Sequence, residues 1–96
     1  MSEANIAVIR PNERFDFHAY RNFRDAYELE LAKPEVYGLV VDLHEVQYID
    51  SAALGILLLL RDKAQTLGKT VELRNLHGIV RDVFEVANFH KLFKVS

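Results

Sequence analysis

Asp50 and Ser51 are the adjacent residues of this chain best placed to carry chemistry. They follow the apolar stretch Gly38 to Leu43 and Tyr48-Ile49, and they precede the apolar run Ala52 to Leu60, so they fall where a loop turns into a helix. A serine there accepts a backbone N–H from the first helical turn, and the helix dipole favours negative charge at that end, which makes Ser51 a place to put a phosphate. From local sequence alone the simpler reading of this position is a plain N-cap, worth about 1 kcal/mol against alanine. Asp50 favours the dipole and is expected to help position a modifying kinase or phosphatase.

Other chemistries find less support. His18, His44, His77 and His90 are dispersed, with no pair at the spacing of a helical metal site, so no metal is predicted. Ser51, Asp50 and a distant histidine could be drawn as a triad, but no Gly-x-Ser-x-Gly elbow surrounds the serine, and no enzyme activity is predicted. Gly38, Gly55, Gly68 and Gly78 never cluster into a phosphate-cradling loop, so no nucleotide or other cofactor is expected. With no cysteine, disulfides, thiol catalysis and Cys-based metal sites are excluded.

Ninety-six residues suit one small domain spanning 1–96, and an apolar content of 50% argues against disorder. The formal net charge of -2 supplies no bulk attraction to nucleic acid or anionic membrane, and basic residues are interleaved with acids, so the expected partner is a protein. The run Ala52 to Leu60 is about half of the roughly 20 residues a membrane span needs, so no membrane insertion is expected. Met1 to Asn5 lack the basic and apolar regions of a signal peptide, which points to a cytoplasmic location. Oligomeric state is not legible.

The elements that must position Asp50 and Ser51 follow from periodicity. Ile6 to Arg10 reads as a strand ended by Pro11-Asn12, and Arg14 to Phe17 as a short second strand beside it. From Ala19, the residues Phe23, Ala26, Tyr27 and Leu31 recur at helical spacing up to Pro34. Val36 to Leu43 is apolar at nearly every position, as in a strand covered on both faces, and His44 to Ile49 reads as a loop. A helix then runs from Ser51 to Leu67, stopped by Gly68, with Ala53, Ile56, Leu57, Leu60, Ala64 and Leu67 on its core stripe. Leu58 and Leu59 are left on the outer side near Ala52, Gly55, Asp62 and Thr66, to be covered either by another helix or by a partner. Thr70 to Arg74 alternates as a strand, Val80, Val83, Phe84 and Ala87 mark a third helix stopped at Asn88, and Leu92 to Val95 closes as a strand. The sum is an α/β domain whose mainly parallel sheet of about four strands is covered by about three helices.

The series Tyr48-Ile49-Asp50-Ser51, Ala-Ala-Leu-Gly and a leucine-rich helix, Val71-Glu72-Leu73, Val83-Phe84 and Ala87 to Phe93 resembles the STAS family of anti-sigma factor antagonists, over roughly Val36 to Val95. The resemblance implies a small α/β domain that binds an anti-sigma factor that is also a serine kinase, and that is released when the serine after the motif Asp is phosphorylated. A serine phosphatase would reset the switch. By position the phosphoacceptor is Ser51, and the docking face is Asp50, Ala52, Gly55, Leu58 and Leu59, with Asp16. Family members often carry Asp-Ser-Ser-Gly-Leu-Gly or Asp-Ser-Thr-Gly-Leu-Gly where this chain has Asp50 to Gly55, so Ser51 is the one hydroxyl in the motif. Their Gly-Glu-Leu-Asp is represented by Glu13-Arg14-Phe15-Asp16, which keeps the Asp. Against the family's pattern, the edge strand and terminal helix are read as reduced or missing. STAS-like domains also serve as constitutive subunits of transporter or signalling assemblies, which is the alternative the resemblance leaves open.

Overall fold

The computed structural model describes residues 5–96; Met1 to Ala4, within the segment read above for a leader, lie outside them. Along the chain run β1 (Ile6–Ile9), β2 (Arg14–Phe15), a 3-10 turn (Phe17–Ala19), α1 (Tyr20–Leu31), β3 (Gly38–Asp42), β4 (Tyr48–Ile49), α2 (Ser51–Thr66), β5 (Thr70–Arg74), α3 (Gly78–Val86), a second 3-10 turn (Phe89–Lys91) and β6 (Lys94–Val95). β1, β3, β5 and β6 form one sheet in that order, parallel throughout, while β2 and β4 form a separate parallel pair. Parallel neighbours need crossovers, and right-handed crossovers between successively placed strands set the helices on one face. No helix among the described residues is long and apolar enough to cross a membrane.

The predicted α/β architecture is therefore what forms, with two corrections at its edge. The first two strands are not neighbours: β1 pairs β3 from Ile6↔Gly38 to Ile9↔Val41, and β2 pairs β4. The short link Arg10 to Glu13 would allow those two strands to pair only as an antiparallel hairpin. Pairing Phe15 with Ile49 instead buries both in the core. The second correction follows: the segment read as a loop, His44 to Ile49, ends in β4.

β3 is buried from Gly38 to Val41, as its composition predicts, and Asp42 at its end is half-buried. Leu39 and Val41 join the core under the helices, and Val36 and Val40 are buried outside it. A Cβ on Gly38 would stand 2.5 Å from the Thr70 hydroxyl across the pair, so a larger residue there requires the Thr70 side chain to turn away. In α1, Phe23, Tyr27 and Leu31 are buried and Ala26 is half-buried; Phe15, Phe23 and Tyr27 form a chain of rings with centroids 5.0 and 5.6 Å apart. A second chain, Phe84, Phe89 and Phe93 at 5.2 and 5.3 Å, locks the segment after α3. That segment reaches the sheet later than predicted, because Phe89–Lys91 turns first. Asn88 stops α3 in the left-handed region, at φ 60°.

α2 covers the sheet with Ala53, Ile56, Leu57, Leu60 and Ala64. Leu67, read as the last member of that stripe, is 45% exposed, because the helix ends at Thr66 and Gly68 turns the chain at φ 72°. Lys69, next in line, aims its ammonium back at the end of α1, donating to the Leu31 carbonyl at 2.6 Å and the Lys33 carbonyl at 2.9 Å. It satisfies carbonyls that the last turn leaves open. Lys69→Met is expected to lower unfolding free energy by about 1.5 kcal/mol, read from urea denaturation at neutral pH.

Candidate functional site

The β2–β4 pair sets the geometry of the site. Arg14 lies opposite Tyr48 and Phe15 opposite Ile49, so the next residues, Asp16 and Asp50, leave the two strands at the same level. Each then caps a helical segment. The Asp16 carboxylate accepts from the His18 N–H at 3.0 Å, and the Asp50 carboxylate accepts from the Ala53 N–H at 2.9 Å. Asp50, in extended conformation, is thus the N-cap of α2, and Ser51 is its first helical residue. The cap role that Ser51 could have played belongs to its neighbour. The Ser51 side chain is exposed and makes no hydrogen bond with the described residues.

Around Ser51 the residues at helical spacing make a shallow face. Ala52 is half-buried, Gly55 is exposed, Leu59 is 51% exposed, and Leu58, read as outward, is half-buried against the core. A Cβ added to Gly55 would meet no atom within 4 Å, so nothing in the fold asks for glycine here. Glycine inside an exposed helix costs about 1 kcal/mol relative to alanine. Gly55→Ala is accordingly expected to stabilise the chain by up to about 1 kcal/mol in thermal unfolding, while weakening any protein that packs against α2.

The tertiary structure adds residues that periodicity did not single out. The Arg14 guanidinium lies 4.3 Å from the centre of the half-exposed Tyr48 ring and 3.6 Å from the Asp16 carboxylate, and Phe17 beyond it is 67% exposed. On the other side, Leu54, Leu58 and Arg61 share a flank of α2, and Arg61 donates to the Leu92 carbonyl at 2.9 Å, so this flank looks toward the segment between the second 3-10 turn and β6. On α3, Ile79 is 60% and Val86 85% exposed, with Val83 half-buried. Ile79 and Val86 lie seven apart beside the Val80–Phe84 stripe, a spacing readable in advance.

The loop that leads to the site is tied down at Asp42. Its carboxylate accepts from the Asn75 amide at 2.8 Å, the His44 N–H at 3.0 Å and the Arg10 guanidinium at 3.2 Å. These partners, Asn75 foremost, hold the Asp42 carboxyl below the ordinary carboxylate range. Asn75 reaches it from a left-handed backbone, φ 65°. His77 Nε2 lies 2.9 Å from the His44 carbonyl, which fixes that nitrogen as a donor, and the two rings are 6.2 Å apart. Two of the dispersed histidines therefore meet, yet no three metal-ligating side chains gather among the described residues.

Residues 2–96 match the family model described as STAS domain. The chain belongs to the STAS-domain family. A STAS-domain containing protein of Pseudomonas aeruginosa (strain UCBPP-PA14) is 48% identical over 89 residues, covering 93% of this chain and 86% of the relative. Among solved structures this STAS domain is similar to the anti-sigma factor antagonist SpoIIAA of Bacillus in its unphosphorylated form, with 20% identity, a TM-score of 0.73, and 96% of this chain and 79% of that one covered. It is also similar to a sulfate transporter family protein of Wolinella succinogenes, with 13% identity, a TM-score of 0.79, and 95% and 75% covered. At such identities the likeness is one of fold.

Within the STAS domain, the predicted site residues do not all share one surface. Ser51, Gly55 and Leu59 are exposed on α2, Ala52 and Leu58 sit at its margins, and Asp50 is half-buried as the cap. Asp16, carried over from the weaker motif, is 8% exposed, so its position at the site is one of support under Arg14 and the 3-10 turn.

Proposed function

We propose that this STAS domain is an anti-sigma factor antagonist: a non-enzymatic switch that sequesters an anti-sigma factor that is also a serine kinase while Ser51 is unmodified, and lets go when Ser51 is phosphorylated. The observation that carries the reading is the division of labour at α2. Asp50 caps the helix, which leaves the Ser51 hydroxyl exposed and without a structural task. Beside it, on the same helix, lie a glycine the fold does not need and the apolar residues Leu58 and Leu59.

Docking would desolvate this face, and a phosphate on Ser51 would bring about -1.5 to -2 charges into it beside Asp50. The helix N-terminus tolerates that charge in the free domain, so the cost falls on the complex. Asp16, Asp50, Ala52, Gly55, Leu58 and Leu59 are proposed to form or support the docking face, and a serine phosphatase to restore it. A cytoplasmic setting follows from such partners.

The second reading, a constitutive subunit of a transporter or signalling assembly, draws on the likeness to the sulfate transporter family protein. Phosphopeptide mass spectrometry of the protein from its native cell separates the two. The switch requires a phosphorylated Ser51 peptide whose stoichiometry changes with growth conditions. A constant unmodified Ser51 with a stoichiometric transporter partner establishes the subunit.

A further inference from the structure

A cavity of about 550 Å³ opens between α3 and the β6 edge, on the flank of α3 away from Ile79 and Val86. Its apolar wall is Leu76, Phe84 and Val95, and its polar groups are Arg81, Glu85, His90 and Ser96, whose hydroxyl is turned to Glu72. Arg81 and Glu85 stand one turn apart on the helix, yet they make no ion pair with each other or with any other described residue. The order Arg then Glu is the weaker orientation for a pair four residues apart. Two opposite charges are thus held separately at the mouth of one partly apolar cavity.

We infer that this cavity is a binding site for a free α-amino acid with an apolar side chain. Its carboxylate takes the planar fork of Arg81, with His90 as a further donor, its ammonium takes Glu85, and its side chain lies against Leu76, Phe84 and Val95. A simple carboxylate satisfies Arg81 and leaves Glu85 repelling it, a simple amine does the reverse, and a residue inside a peptide chain lacks both charges. The site is independent of the Ser51 reading, because it involves no residue of the docking face.

The test is a heteronuclear NMR titration of the full 96-residue chain with L-phenylalanine, and in parallel with phenylacetate and phenethylamine. Saturable shifts at Leu76, Arg81, Glu85 and Val95 are expected for phenylalanine, with each analogue about tenfold weaker or more. Arg81→Gln and Glu85→Gln should each weaken binding about tenfold, the equivalent of one lost charged contact. Their unfolding temperatures without ligand should match the parent, which separates loss of binding from loss of fold. Absence of saturable shifts at these residues overturns the proposal and makes the two charges a solvated surface pair. Equal binding of phenylacetate or phenethylamine overturns it too, as does undiminished binding by the variants.

Discussion

Ser51→Asp is expected to lose about hundredfold or more of its affinity for the cognate anti-sigma factor, while Ser51→Ala binds as the parent does. The difference comes from where the charge sits in the free and bound states. In the free domain, a carboxylate at the first position of α2 lies in the favourable field of the helix N-terminus, a gain of about 0.3–1 kcal/mol offset in part by Asp50 next to it. In the proposed complex the same charge would be desolvated on the face of Gly55, Leu58 and Leu59, next to the Asp50 carboxylate. A misplaced interfacial charge costs several kcal/mol, and about 2.7 kcal/mol is hundredfold. Isothermal titration against the partner gives the affinities, and a thermal melt shows that Ser51→Asp is folded. Equal affinity of the two variants would sink the switch. Ser51→Ala also reports on capping: because Asp50 supplies the cap, the alanine variant should lose well under the 1 kcal/mol typical of a removed N-cap.

The largest effect on stability is expected at Asp42. Its carboxylate joins the ends of β1 and β3 to the loop after β5 and holds the start of the loop leading to β4. With the side chain only 12% exposed, Asp42→Ala leaves Asn75 and the His44 N–H without their acceptor. The cost should be about 2 kcal/mol, or roughly 10 °C in Tm for a chain of this size. The pH dependence has a definite sign. The folded pKa is depressed, so the native state binds fewer protons than the unfolded state across the interval between the two values. The stabilisation is complete above the ordinary carboxylate value of about 4 and disappears as pH falls through the lower folded value. Asp42→Asn should therefore be less stable at pH 7 and show a shallower loss of stability on acidification. Glu72, also held low, first by the Ser96 hydroxyl and then by Arg74 and Lys94, keeps part of the acid sensitivity. An Asp42→Asn protein with the parent's acid limb would refute the hub.

The sequence by itself determined the α/β class, the three helices, the parallel strands β1, β3 and β5, and the stops at Gly68 and Asn88. These are governed by short-range rules: a period of 3.6 or 2, β-branched runs, and residues that tolerate positive φ. It also put Ser51 at the head of a helix, because the change from Tyr48-Ile49 to the leucine-rich run is local.

What only the tertiary structure decided depends on contacts between distant segments. The alternation at Arg14 to Phe17 marked β2 but not its partner, and β4 lay in a stretch read as a loop; the burial of Phe15 with Ile49 pairs the two strands, and that pairing is what sets Asp16 beside Asp50. Between two adjacent residues that can both cap a helix, the backbone placed Asp50 at the cap and Ser51 one step inside, a shift of one position that propensity cannot resolve. Leu58 drew inward and Leu67 outward because the neighbours of a helix and the place where it ends settle which flank is covered. Arg14 over Tyr48 and the separated charges of Arg81 and Glu85 come from different elements or from a helix's surroundings, so only the packed chain brings them into view.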